Sequence, residues 1–454
     1  STGSVTLTGA PANSAAVTID SNNSVTNAGT IATIDSSNSV GVRIAPNTTG
    51  NFTNSGAINL SETYTRTDTD NDKDLDGPLA QGTNRIGVLV DSGGAMTGNV
   101  TVNGTVTVNG NDSRGVAIRS DLNGAYTQAG SITVVGANGA ALDVQENVTG
   151  NVRLSGAMLG RGENSVGARF LGDVAGEFLV NGNIGATGFT DERFSNTDST
   201  VAAAMDADDL LVGGSALEIR GDLGRGLLVN GAAVGGVDPT PDVKDVIQDY
   251  NENRATGAIT SFGSAPALLI QSLDGAAGDA IVLSRVRESV LDTTDDDDDS
   301  NFSEVIGTFD YDYGFVNRGT ITGNGLNKGF AATGVKIAGS ADGTHTTTID
   351  GGIFNGGNII GQAPEANATA FQLGSGASTP RKSTRSLRPR APAGTSRTSS
   401  RSPTFCPGYQ WIRANEMPAR STSPIRGSTG GWPWRRRGSS RPSARRTRWR
   451  RTSR

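Results

Sequence analysis

The stretch GTVTVNGNDSRGVAI, residues 104–118, is followed by GSITVVGANGAALDV at 130–144 and GAMLGRGENSVGARF at 156–170. Gly104, Gly130, Gly156 and Gly182 mark a constant 26-residue beat. Gly115, Ala141 and Gly167 keep the same beat at the head of the strings GVAI, ALDV and GARF, and Gly124, Gly150 and Gly176 form a third set. Three landmarks repeating in phase mean that one structural coil is copied along an axis, so the fold is a solenoid.

Each unit reads apolar-x-polar-x-Gly-x-apolar, as in residues 25–31, 52–58, 178–184 and 315–321. The alternation of apolar and small polar residues is strand periodicity, not helix periodicity. Val42-Arg43-Ile44, Val88-Leu89-Val90, Val116-Ala117-Ile118 and Leu217-Glu218-Ile219 supply a second strand, and Gly, Asn and Asp are expected to turn the corners at positive φ. A coil of about 26 residues with two or three short strands predicts an all-β, right-handed parallel β-helix. One coil cannot pair with itself, so its N–H and C=O groups must be met by the coils on either side.

The glycine element occurs at Gly29, Gly56, Gly104, Gly130, Gly156, Gly182, Gly231, Gly319 and Gly357, with a degenerate coil expected near Ala280–Leu283. Some ten layers at about 4.8 Å each make a rod on the order of 50 Å long.

Composition agrees: 63 of 454 residues are Gly and only 5% are aromatic, as suits thin stacked layers. The sequence contains no apolar run long enough to span a membrane as a helix. The chain begins at Ser1, which points to a processed or trimmed N-terminus. It has no cysteine before Cys406.

Charge divides the chain. Residues 381–454 hold 20 Lys and Arg against the single acid Glu416, a net of +19, while positions 1–380 carry −25. The acidic rod is not expected to bind nucleic acid. The β-helix is expected over 1–375 and a basic tail, rich in Arg, Ser, Pro and Trp, over 376–454. The tail loses the 26-residue beat, and its vocabulary is that of a GC-rich gene read out of frame. The alternatives are a disordered basic arm binding lipid A phosphates or nucleic acid, and a small folded domain.

Insertions interrupt the repeat at about 61–84, 187–213, 237–263 and 285–312. A plain coil passes from its glycine to the next GVxI string in the span Gly104 to Gly115. The same step runs from Gly56 to Gly87, from Gly182 to Ala216 and from Gly231 to Ala267, each about three times as long. Three elaborations at one corner would bring their loops side by side, where solenoids carry recognition elements; drift at a tolerant corner is the plainer reading.

The first insertion contains Asp70, Asp72, Asp74 and Asp76 at alternate positions before Gly77, the front half of a calcium loop, although Thr83 stands where a bidentate acid belongs. A solvated acidic loop is the alternative. Asp295–Asp299 lacks that spacing and reads as a self-repelling loop. Val243, Val246, Ile247 and Tyr250 after Thr240-Pro241 predict a short amphipathic helix.

No catalytic residue is assigned. Asp91-Ser92-Gly93-Gly94 echoes a serine-protease motif, but the lone histidine, His345, is far along the chain in a different part of the rod. Acids on one sheet face, Asp121 or Asp143 near Arg119 or Arg153, are the one arrangement compatible with polysaccharide cleavage.

The Asn-x-Gly-x-Ile strands, the VGVxI strings and the acidic insertion ending at Asp76-Gly77-Pro78-Leu79-Ala80-Gln81-Gly82 resemble the passenger region of a Gram-negative autotransporter (type V secretion) of the sphingomonad-like kind, over about residues 1–375. The resemblance implies export, a C-terminal outer-membrane β-barrel and display at the cell surface or release from it. Here the Arg-rich tail stands where that barrel is expected. The function that follows is a rod presenting acidic loops for adhesion to a host, surface or polysaccharide ligand. A polysaccharide-active β-helix enzyme and a purely structural spacer are the alternatives.

Overall fold

The computed structural model describes residues 3–69, 71, 75–188, 205, 207–232, 255–291 and 305–380. Among them the chain is a parallel β-helix of ten coils with three long sheets. In the fifth coil Ser131–Val135 lies in sheet I, Ala140–Val144 in sheet II and Val152–Leu154 in sheet III. Sheets I and II hold ten strands each and sheet III nine, each strand pairing with its equivalents in the coils before and after. Register is kept to the residue: Val106, Ile132, Met158 and Ile184 stack in one column. A narrower fourth column, through Leu122, Val148, Val174, Leu223 and Leu283, marks the corner between sheets II and III.

The apolar-polar alternation becomes inside and outside. Tyr126, Ile132, Val134, Leu142 and Val144 of neighbouring strands are all buried, and one continuous apolar core runs from Ile19 to Ile349. At several coils sheet III replaces an inward apolar residue with an amide. There the side chains hydrogen-bond to one another along the axis, Asn27 Nδ2 to Asn54 Oδ1 at 2.8 Å and Asn317 Nδ2 to Asn355 Oδ1 at 2.6 Å. Corners use the same device. Asn147 Oδ1 accepts the Asp173 N–H, Asp173 Oδ1 accepts that of Asp222, and Asp222 Oδ1 accepts that of Val282, at 2.7–2.9 Å. Each side chain thereby meets a main-chain donor that its own coil leaves open.

The glycine landmark has a different cause from the one expected. The glycine element is not one strand but two, meeting at a corner, as in Val100–Val102 and Thr105–Asn109 on either side of Gly104. Gly104, Gly130, Gly156 and Gly182 do not occupy positive φ. A Cβ on Gly130 would lie 1.9 Å from the carbonyl oxygen of Gly104, and one on Gly156 equally close to that of Gly130. The column is glycine because successive backbones touch there. Positive φ falls instead on the Asn and Asp of the corner between sheets I and II, at Asn13, Asn38, Asn84, Asp112, Asn138 and Asn164.

Ten layers are present, but two of the expected ones are reassigned. The coil after Val229 resumes at Gly257, whose strand Ala258–Phe262 pairs with Asn183–Thr187, so Gly231 is not a layer glycine. Ile281–Leu283 is no separate coil; it pairs with Thr347–Ile349 at a corner. The missing layer is the first, Ser4–Thr8 after Gly3. The third insertion therefore runs from Asn230 to Gly257 and leaves from the corner between sheets III and I, unlike the first two. The expected boundary at 375 falls short, since Ala377–Ser378 still pairs with Thr347–Thr348; the predicted helix around Val243–Tyr250, the Asp295–Asp299 run and the tail from residue 381 on lie outside the described residues.

The fourth insertion contains an antiparallel hairpin, Arg287–Leu291 with Val305–Asp310. Val286, Val290, Phe309 and Tyr311 pack on Leu179, Leu228 and Val316 of the outer face of sheet III. In coils without this cover the same outward column reads Thr26, Thr53, Thr101, Thr127 and Arg153. The column turns apolar where the hairpin removes it from water.

Candidate recognition edge

The first insertion leaves sheet I after Ser61 and rejoins sheet II at Ile86. Its two ends are clamped. Glu62 and Arg85 form an ion pair at 3.1 Å with side chains only 7% and 2% exposed. Glu62 also accepts the N–H groups of Gln81 at 2.8 Å and Gly82 at 2.7 Å, and Arg85 donates to the carbonyls of Ser36 at 3.1 Å and Asn109 at 2.5 Å. Every oxygen and most donors of this buried pair are used, which is what lets two charges persist out of water. Beside it lies a cleft lined by Asp35, Ser37, Glu62, Thr63, Tyr64, Gln81, Gly82 and Arg85.

From the clamp the insertion extends along the rod. Asn111 of the fourth coil donates its side-chain amide to Ala80 O at 2.9 Å. Further on, the Gly77 N–H donates to Asp208 Oδ2 at 3.0 Å. Asp208 belongs to the second insertion, which leaves the same corner four coils later, about 19 Å along the axis at about 4.8 Å per coil. Two of the three insertions expected side by side are therefore in contact; the third departs from another corner.

Of the four aspartates with calcium spacing, Asp70, Asp72 and Asp74 lie outside the described residues. Asp76 lies within them and is engaged by its own loop: its Oδ2 accepts both the N–H and the hydroxyl of Thr69, and Thr67 and Asp76 form an antiparallel bridge. Among the described residues no group of three His, Cys, Asp or Glu side chains could hold a metal.

The arginine–carboxylate combinations weighed for polysaccharide cleavage are not brought together. Asp143 is fully buried and bridges Arg114 at 2.9 Å and Arg169 at 3.0 Å. Burial would push its carboxyl up, but the hydrogen bond and charge of Arg169, with Arg114 and Gln145, hold it below the usual carboxylate range. A carboxylate so enclosed cannot reach a substrate. Arg153 pairs with Glu177 at 3.0 Å, and Asp121 accepts the Asn147 N–H at 3.2 Å. Ser92 lies in the third coil and His345 in the ninth, about 29 Å apart at about 4.8 Å per coil, so no triad forms. His345 Nε2 is 2.8 Å from Gly275 O.

The clamp residues Glu62 and Arg85 escaped sequence reasoning, although opposite charges at the two ends of an insertion are a usable signal. Among the described residues no helix is long and apolar enough to cross a membrane. Comparison of the chain with protein-family models, with curated proteins and with solved structures returned no match.

Proposed function

We propose that this chain is the rod-like passenger of an autotransporter-type protein, displayed at or released from the cell surface, and that it presents the edge between sheets I and II for adhesion or recognition. The observation that carries this reading is the Gly77–Asp208 contact. Insertions that were merely tolerated at a corner would have no reason to reach across four coils and meet. The rod supports the reading as a rigid carrier, since every sheet keeps its register past the insertions. The edge is acidic: residues 61–84 carry six acids and two bases, and residues 187–213 six acids and one base.

The test exchanges residues 62–85 for the plain connector of the fourth coil, Gly110–Ser113, and shortens the second insertion likewise. The exchanged chain is expected to keep its β-sheet circular dichroism and cooperative unfolding. Binding of the labelled protein to whole bacterial and epithelial cells should fall at least tenfold. Unchanged binding would leave the spacer reading in its place.

A further inference from the structure

We infer that the cleft at the base of the first insertion is a binding subsite for a neutral saccharide. This deepens, and rests on, the reading of the edge as a recognition surface.

The cleft is an open surface depression of about 430 Å³. Its floor and its walls differ in a way that points outward. The floor is the Glu62–Arg85 pair, buried, with both Glu62 oxygens and most Arg85 donors engaged. The walls are polar groups with capacity to spare. Asp35 is fixed by Thr63, whose N–H and hydroxyl both donate to Oδ1 at 2.8 and 3.3 Å, while its Oδ2 has no partner among the described residues. Ser37 Oγ accepts the Thr83 N–H at 3.2 Å and retains its own proton to give. The side-chain amide of Gln81 has no partner among the described residues and is exposed. Tyr64, half-buried, brings an aromatic ring, and its hydroxyl lies against Gly77.

A fixed carboxylate, a hydroxyl and a carboxamide around an aromatic ring match the chemistry of a sugar. Vicinal hydroxyls need donors and acceptors together, and the C–H face of a pyranose needs an apolar ring to lie on. The pre-ordered floor keeps the ordering cost of binding low. Charge selects within the class. Asp35 and the acidic insertions repel uronates, sialylated glycans and phosphorylated sugars, so the fitting ligand is uncharged.

The experiment measures saturation-transfer NMR and calorimetric binding of the full chain to maltohexaose, cellohexaose and β-1,4-galactohexaose, with polygalacturonate as the anionic counterpart. At least one neutral hexamer is expected to bind, and Tyr64→Ala and Gln81→Ala each to weaken it tenfold or more with unaltered circular dichroism. Tyr64→Phe keeps the ring and should stay within threefold of the parent. Polygalacturonate should not bind. The assignment is overturned if none of the neutral hexamers binds, if binding survives Tyr64→Ala, or if polygalacturonate binds as well. The loop exchange separates this from the broader reading. Cell binding lost on exchange with no saccharide bound sinks the cleft alone, whereas saccharide binding with cell binding indifferent to the exchange sinks the edge and keeps the cleft.

Discussion

The glycine column makes the sharpest quantitative demand on the fold. In Gly130→Ala the new Cβ would lie 1.9 Å from Gly104 O, whereas real Cβ contacts essentially never fall below 3.0 Å. The two backbones would therefore have to part by more than an ångström. The same oxygen accepts the Ser131 N–H at 3.1 Å, and the Gly130 N–H donates to Val102 O at 2.9 Å, so both bonds would open beyond hydrogen-bonding distance. Moving residue 130 the other way has little room, because the Gly156 backbone stands as near to Gly130 O as the Gly130 backbone does to Gly104 O, each leaving no space for a Cβ. Two broken backbone bonds at a half-exposed corner cost about 2–4 kcal/mol.

The control is Gly343→Ala. Gly343 sits at φ +78° with nothing within 4 Å of its Cβ position, so only the left-handed backbone is penalised, by roughly 1–2 kcal/mol. Urea unfolding of the full chain by circular dichroism should place Gly130→Ala clearly below Gly343→Ala. Hydrogen exchange should show the loss of protection centred on residues 105–161. Equal effects of the two substitutions would refute backbone contact as the reason for the column, and with it the reading of the 26-residue beat.

Other consequences follow from the charged groups. Arg85→Ala leaves Glu62 buried without its cation and should cost about 3–5 kcal/mol, read as a lower urea midpoint with faster proteolysis between residues 62 and 85. Asp143 has a carboxyl held below its unfolded value, so its contribution is present above about pH 4 and is lost as pH falls through the folded pKa. Asp143→Asn should accordingly destabilise by about 2–3 kcal/mol at pH 7 and by progressively less as pH falls through the folded pKa, a trend visible in thermal melts taken across the acid range. Asp222 behaves oppositely: burial, with Asp173 and Asp279 nearby, raises its carboxyl, so the carboxylate form is disfavoured as pH rises through the folded pKa. Asp222→Asn keeps the acceptor for Val282, as Asn147 does in the same ladder. It should stabilise slightly at pH 7, under about 1 kcal/mol because the site is solvent-screened, and not at pH 3. Asp76→Ala removes the acceptor for both Thr69 donors and should speed proteolysis of the loop while leaving the melting temperature unchanged.

The repeat was legible because pitch is a property of every coil at once. Inward residues, corner residues and the glycine contact each constrain the same spacing, so Val106, Ile132, Met158 and Ile184 could be aligned without coordinates. What misled was local mimicry. Asn230-Gly231-Ala232 imitates the start of a sheet I strand, while the real one, Ala258–Phe262, follows Thr256-Gly257 after an insertion that the pattern placed too late. The hairpin was readable and went unread: the outward column of sheet III passes from Thr and Arg to Leu179, Leu228 and Val316, and only cover explains that change. The cleft was not readable, since Asp35 and Gln81 belong to different coils and meet only when two corners stack.

The clamp explains how one coil can carry a long loop without disturbing its neighbours. Where the fourth coil crosses from sheet I to sheet II through Gly110–Ser113 alone, the third uses the whole stretch Glu62–Arg85. Loop closure entropy grows only with the logarithm of length, so this sixfold extension costs about 1.6 kcal/mol. Glu62 and Arg85 sit at the first and last positions of the loop and bind each other, Gln81, Gly82, Ser36 and Asn109. To the coils on either side the connection ends where a short one would. The sheets fix the axis and the corner pair fixes the exit, which leaves the residues between them free to be chosen for what they touch outside.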